Sequence, residues 1–184
     1  MAEGARKDKV TVKDLLDIIA DENGLFMLPD TSHDLVYPNI YISEESLVRN
    51  KYKLKNIGIT HVLNVAEGVS HFHVNLTAEF YENSGITYKG IKADDSPKFS
   101  FKPHLKEICD YIDGAIGQGG TVVVNCREGV SRSSTSVLAF LILCRNMTLV
   151  EALKAVREKR NIIPNGRFLE ELIEIEEEKI ATLT

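Results

Sequence analysis

This 184-residue chain lacks a disulfide scaffold: its three cysteines, Cys109, Cys126 and Cys144, are odd in number, widely spaced and without a CxxC pair. That excludes a disulfide framework and a cysteine-rich zinc site, and it suits a reducing compartment. Long apolar runs are also missing. The longest, residues 137–144, is far short of the ~20 residues that cross a bilayer. The opening MAEGARKDK has no apolar segment of the secretory kind, and Gly4 is not placed for myristoylation. Basic residues are not in excess. The net charge of −5 argues against a general nucleic-acid or anionic-membrane surface. No internal repeat, low-complexity tract or second domain is visible. What remains is the composition of an ordinary soluble domain, long enough to bury a real core. It is expected in the cytoplasm, the nucleus or both.

The hydrophobic pattern divides the chain into a flexible start over 1–10 and one domain over 11–184. A helix over 12–22 opens the domain, with Val12, Leu15, Leu16, Ile18 and Ile19 on one face. Residues 35–42 read as a strand in which Pro38 marks an edge or a bend, and Ser43 then reads as a helix cap. Strands follow over 61–66 and 86–91, with a short helix near 78–81 between them. A helix over 103–116 ends at glycines, and strand 121–125 comes next. Helices over 133–145, 148–160 and 167–180 complete the chain. Strands alternating with helices predict an α/β fold, a central mostly parallel sheet flanked by helices. Sites in such sheets lie beyond the carboxyl ends of the strands. Two loops leave such ends: Asp94-Asp95 after one strand, and Cys126 to Arg132 after another.

The second loop holds the densest chemistry. Residues 121–143 read TVVVNCREGVSRSSTSVLAFLIL, so Cys126, Arg127, Glu128, Gly129, Val130, Ser131 and Arg132 lie between a strand and a buried helix. Main-chain N–H groups at the start of a helix have no partner within it, and the helix dipole adds positive charge there. Successive N–H groups of such a turn form an anion nest. A thiol at the bottom of that nest is favoured as thiolate, the form that attacks. Arg132 can grip two phosphate oxygens with its planar fork. The pattern therefore points to a phosphate-cradling cysteine nucleophile. The other two cysteines sit on apolar helix stripes and read as core. His71 and His73 resemble a ligand pair without a third ligand nearby.

Cys126-Arg127-Glu128-Gly129-Val130-Ser131-Arg132-Ser133 resembles the signature loop of cysteine-dependent protein tyrosine phosphatases, and among them the small VHR-like dual-specificity group. GITHVLNVAEG at 58–68, FYENSGITYKGIKADD at 80–95 and IIPNGRFLEEL at 162–172 extend the resemblance over nearly the whole chain. It implies hydrolysis of phosphotyrosine and phosphoserine or phosphothreonine in proteins, with MAP kinases as substrate class, no metal and no cofactor. A monomer or weak dimer is expected. Carried over residue by residue, it makes Cys126 the nucleophile, Arg132 the phosphate clamp and Ser133 the hydroxyl beside the thiolate. Asp95 becomes the general acid, with Asp94 its rival. Arg127, Glu128, Gly129, Val130 and Ser131 become substrate-binding. Arg160 is either the site of a second phosphate or only a favourable charge at a helix end. Three positions depart from the family pattern. Asn125 stands where a histidine normally precedes the nucleophile, Val130 replaces an aromatic residue and Ser134 replaces proline. Asn125 carries no charge to support the thiolate, which implies slower turnover near neutral pH, or a phosphoprotein-binding relative with almost no turnover. A substrate other than protein, such as phosphoinositide, is the third reading.

Overall fold

A computed structural model of the chain describes residues 9–183, so the expected flexible stretch 1–10 lies almost entirely outside the described residues. Helix α1 (Val12–Ile19) opens the described chain, followed by the hairpin β1 (His33–Tyr37) and β2 (Ile40–Ser43). Two short helices, α2 (Glu45–Val48) and α3 (Lys51–Asn56), lead to β3 (His61–Asn64). A 3-10 turn at Ala78–Tyr81 precedes β4 (Thr87–Gly90). Then come α4 (Leu105–Gly117), β5 (Val122–Asn125), α5 (Arg132–Arg145), α6 (Leu149–Lys159) and α7 (Gly166–Leu183). Among the described residues, no helix is long and apolar enough to cross a membrane.

The five strands form one sheet in the order β1-β2-β5-β3-β4, with only β1 antiparallel. Val122, Val123 and Val124 of β5 are all fully buried. Successive strand residues point to opposite faces, so β5 is covered on both sides, as the α/β reading requires. Ser43, Asn125, Asn64 and Gly90 pair across four parallel strands. The loops after β2, β5, β3 and β4 therefore leave from one edge. The chain runs outward from β3 to β4 and then returns to place β5 on the other side of β3, the kind of strand-order reversal that opens a crevice.

Helix α5 carries the site from beneath. Every residue from Arg132 to Ile142 is buried, which fits a run without an amphipathic stripe. The predicted opening helix is shorter than expected. It ends at Ile19, where Arg157 Nε donates to the Ile19 carbonyl at 2.8 Å. Thr11 and Asp14 form its capping box, and Leu15 and Ile19 are buried. Two other expectations need correction. Residues 35–42 are not one strand but parts of two, because Pro38 and Asn39, the latter at φ 63°, turn the chain back on itself. Ser43 caps no helix. It ends β2, fully buried, and the N-cap of α2 is Glu44.

Candidate active site

The loop after β5 turns its two kinds of main-chain group in opposite directions. The carbonyls of Arg127 to Ser131 are all taken from outside the loop: Arg127 by Glu45 N at 3.2 Å, Val130 by Ile163 N at 3.0 Å, Ser131 by Thr135 N at 2.9 Å. The Gly129 and Glu128 carbonyls accept from Arg160 Nε at 2.8 Å and Nη2 at 3.3 Å. The N–H groups of Arg127 to Ser131 have no acceptor among the described residues. Carbonyls pinned outward leave amides facing inward, the geometry of an anion nest. Gly129 makes the turn at φ 66°, and a Cβ there would lie 2.6 Å from the Ser43 carbonyl oxygen. No other residue fits.

Cys126 sits at the base of this nest with 2% of its surface exposed, its Sγ 3.2 Å from Ser133 Oγ. Four consecutive hydroxyl residues begin α5, and three of them return to the chain. Ser134 Oγ donates to Val130 O at 2.6 Å, Thr135 Oγ1 to Ser131 O at 2.8 Å, and Ser136 Oγ to Arg132 O at 3.0 Å. Such back-bonds are a common fate of hydroxyls inside helices. Ser133 alone faces the thiol. Ser134, where the family pattern has proline, ties a loop carbonyl.

Arg132 spends two of its five N–H donors on neighbouring loops. Nη1 donates to Ala93 O at 3.1 Å and Nη2 to Phe72 O at 2.8 Å. Its buried Nε has no hydrogen-bond partner among the described residues and lies 3.9 Å from Asp95 Oδ2. A planar guanidinium held at its far corners presents its remaining donors in a fixed plane. Cys126, Glu128, Val130, Arg132, Asp94 and Asp95 line one cleft of about 810 Å³. Phe72, 72% exposed, stands on its rim. Asp95 Oδ1 accepts from Ser131 Oγ at 2.9 Å. Asp94 turns elsewhere: its Oδ1 is 3.1 Å from His73 Nε2, close but out of line for a hydrogen bond. His73 Nδ1 meets Ser70 Oγ at 2.5 Å, so this histidine joins two loops.

Arg160 is placed differently from the second-phosphate expectation. Its side chain is 0% exposed; Nη1 meets Asp34 Oδ2 at 2.7 Å and Thr31 O at 3.1 Å, beside the two loop carbonyls already described. It braces the nest from behind, and no face of it reaches the cleft. Removing one member of a buried ion pair strands the other. Arg160→Ala is therefore expected to destabilise the fold by about 3 kcal/mol, read as a lower urea midpoint. A surface phosphate receptor would instead leave the midpoint unchanged and weaken only doubly phosphorylated ligands. Arg127 is partly buried, its Nη1 2.5 Å from Glu45 Oε1, while Glu128 is exposed at the mouth.

Asn125 is fully buried and donates from Nδ2 to Asn64 Oδ1 at 3.2 Å; its own Oδ1 has no partner. Asn64 Nδ2 donates in turn to Val74 O at 3.0 Å and Tyr88 Oη at 3.1 Å, and Tyr88 Oη donates to Glu67 Oε2 at 2.6 Å. Burial, then the Glu67 carboxylate, pushes the Tyr88 hydroxyl well above its ordinary range, so it remains a donor. The residue before the cysteine is thus wired to the 66–76 loop that holds Arg132. Cys109 and Cys144 lie side by side on α4 and α5, partly buried; contact with Cys144 and burial push the Cys109 thiol up. Among the cleft residues that were not anticipated, Asn165 touches a predicted site residue directly. Asn165 Nδ2 donates to Asp95 Oδ1 at 2.7 Å. The only local signal was the Pro164-Asn165 pair before a helix, which reads equally well as an N-cap.

A mostly parallel sheet with a thiol, an arginine and a carboxylate gathered over its central strand defines a protein tyrosine phosphatase-like α/β domain. The family model described as dual specificity phosphatase, catalytic domain, matches residues 40–178. Human dual specificity protein phosphatase 26 is 44% identical over 144 residues, 78% of this chain and 66% of that protein's length. Human dual specificity protein phosphatase 13B is 45% identical over 140 residues, 76% of this chain and 70% of that protein. The crystal structure of human DUSP28 superposes with a TM-score of 0.71 at 22% identity, covering 84% of this chain and 99% of that one, a likeness of fold. The chain belongs to the dual specificity phosphatases, among their small atypical members.

Proposed function

We propose that the protein hydrolyses phosphotyrosine and phosphoserine or phosphothreonine esters in proteins through a phosphorylated Cys126. The observation that carries the reading is the nest itself: outward-pinned carbonyls and free amides around a buried thiol, closed by Arg132. In the first step Cys126 Sγ attacks phosphorus in line with the ester oxygen. The S–P bond forms as the P–O bond breaks, and Asp95 gives its proton to the leaving oxygen. Loop N–H groups and Arg132 hold the non-bridging oxygens, whose charge is spread in the transition state. In the second step water attacks the phosphocysteine, Asp95 takes the water's proton, and Ser133 donates to the departing thiolate. No metal enters the scheme. MAP-kinase-type phosphoproteins are the proposed substrates, on the family resemblance. Exposed Glu128 and Asp94 at the cleft disfavour polyanionic phosphoinositides.

The orphaned Oδ1 of Asn125 favours one other reading, a phosphoprotein-binding relative with almost no turnover. Both are tested by turnover of phosphotyrosyl and phosphothreonyl peptides, with chelator present, by wild type and Asn125→His. The phosphatase reading expects measurable wild-type turnover, unaffected by chelator, and a gain within about tenfold, the worth of one pK unit. Wild-type turnover at background with a large gain on substitution supports the binding reading. Background turnover in both proteins ends the phosphatase reading.

A further inference from the structure

We propose that Asn165 is the positioning residue of the proton donor: it fastens Asp95 by Oδ1, so that Oδ2 carries the transferable proton and faces the ester. This rests on the assignment of Asp95 as general acid. Asn165 lies just before α7, between the cleft and the helix. Its Oδ1 accepts from Phe168 N at 3.0 Å. That bond settles which way the side-chain amide faces, since only its oxygen can accept. Nδ2 must then point the other way, and it donates to Asp95 Oδ1 at 2.7 Å.

The second donor to that oxygen is also governed by Asn165. Its main-chain N–H donates to Ser131 Oγ at 3.2 Å, and Ser131 Oγ donates its own proton to Asp95 Oδ1 at 2.9 Å. With an N–H on the serine oxygen, the serine proton is directed at the carboxylate. One asparagine therefore places two donors on one carboxylate oxygen, through its side chain and through its backbone. The segment that carries it is itself tied to the nest by Ile163 N on Val130 O at 3.0 Å.

A proton on Oδ1 would have to displace one of the two donors that oxygen already accepts, Asn165 Nδ2 or the Ser131 hydroxyl. Oδ2 is free of both, 3.9 Å from Arg132 Nε. In the first step the Oδ2 proton passes to the ester oxygen as the P–O bond breaks. In the second, Oδ2 takes a proton from the attacking water. The carboxyl group need not turn between them, because Oδ1 keeps its two donors throughout.

The competing account is that Asn165 merely caps α7. Asn165→Ser separates the two, because serine keeps an oxygen for Phe168 N but cannot reach Asp95. The readout is kcat on phenyl phosphate, a poor leaving group, against dinitrophenyl phosphate, which departs without a proton. Asn165→Ser is expected to slow phenyl phosphate about tenfold more than dinitrophenyl phosphate, the worth of one hydrogen bond to a charged group. Equal slowing of both esters would overturn the proposal and leave the cap. Asp95→Asn, run alongside, tests the assignment beneath it. If that variant shows no selectivity between the esters, the assignment of Asp95 falls and takes the proposal with it. If Asp95→Asn is selective and Asn165→Ser is not, only the positioning role fails. In the Asp95→Asn background, Asn165→Ser is expected to add no further selectivity; added selectivity there would also overturn it.

Discussion

Cys126→Ser is expected to lower turnover of a phosphotyrosyl peptide by roughly 10⁴-fold or more, while the peptide still binds. The exchange removes one atom's identity and little else. Cys126 is 2% exposed, and serine fits the same space beside Ser133, whose Oγ lies 3.2 Å from Sγ. The nest amides and Arg132 owe their placement to outward bonds that do not involve the thiol, among them Arg160 to the Gly129 carbonyl at 2.8 Å. Phosphate recognition should therefore survive. The chemistry should not, because a hydroxyl in that nest ionises far less readily than a thiol and leaves phosphorus less readily in the second step. Fluorescence polarisation of a labelled phosphopeptide reads the binding, and phosphate release reads the turnover. Substantial hydrolysis by the serine variant would take Cys126 out of the mechanism.

The second large effect belongs to Asp95. Asp95→Asn is expected to slow an ester with a poor leaving group by ~10²–10⁴-fold. The loss on dinitrophenyl phosphate should be much smaller, since that phenolate leaves without help. Asp94→Asn is expected to slow both esters little. Asp94 is 60% exposed at its side chain and faces His73 rather than Ser131 or Arg132. If Asp94→Asn produces the leaving-group selectivity instead, the two aspartates have been assigned the wrong way round. The geometry separates them on one point: Asp95 Oδ1 meets two donors from the nest side, Ser131 Oγ at 2.9 Å and Asn165 Nδ2 at 2.7 Å.

Much of this arrangement is local, and local features can be read from sequence. A β-type run, a turn with Gly129 and a helix beginning at Arg132 are contiguous, so the strand, nest and helix follow from their own residues. Alternation of strands and helices leads to a parallel sheet, because parallel strands need a crossover and a helix is the usual one. Errors came where neighbours in space outvote neighbours in sequence. Ser43 looks like a cap, since a serine before two glutamates favours a helix start. Pairing with Asn125 on β5 makes it the end of a strand instead. Residues 35–42 look like one strand because alternation is blind to a reversal of direction that pairing alone reveals.

Arg160 shows the same limit at the site. The family resemblance suggests a second-phosphate site at Arg160, and its place at a helix end suggests only a favourable charge. Its partner, Asp34, lies on β1, 126 positions away, and nothing local announces it. Asn165 and Asp95 are separated by 70 positions and meet only because α7 begins beside the loop after β4.

The sequence by itself determined the local layout: Cys126, Arg132 and Ser133 lie within one strand–turn–helix, where residues close in the chain must also be close in space. The tertiary structure decided which distant side chains serve that loop. It set Arg160 behind the loop against Asp34, separated Asp95 from Asp94, and brought Asn165 to Asp95. Those choices depend on packing between elements far apart in the chain, and pattern within a segment carries no information about them.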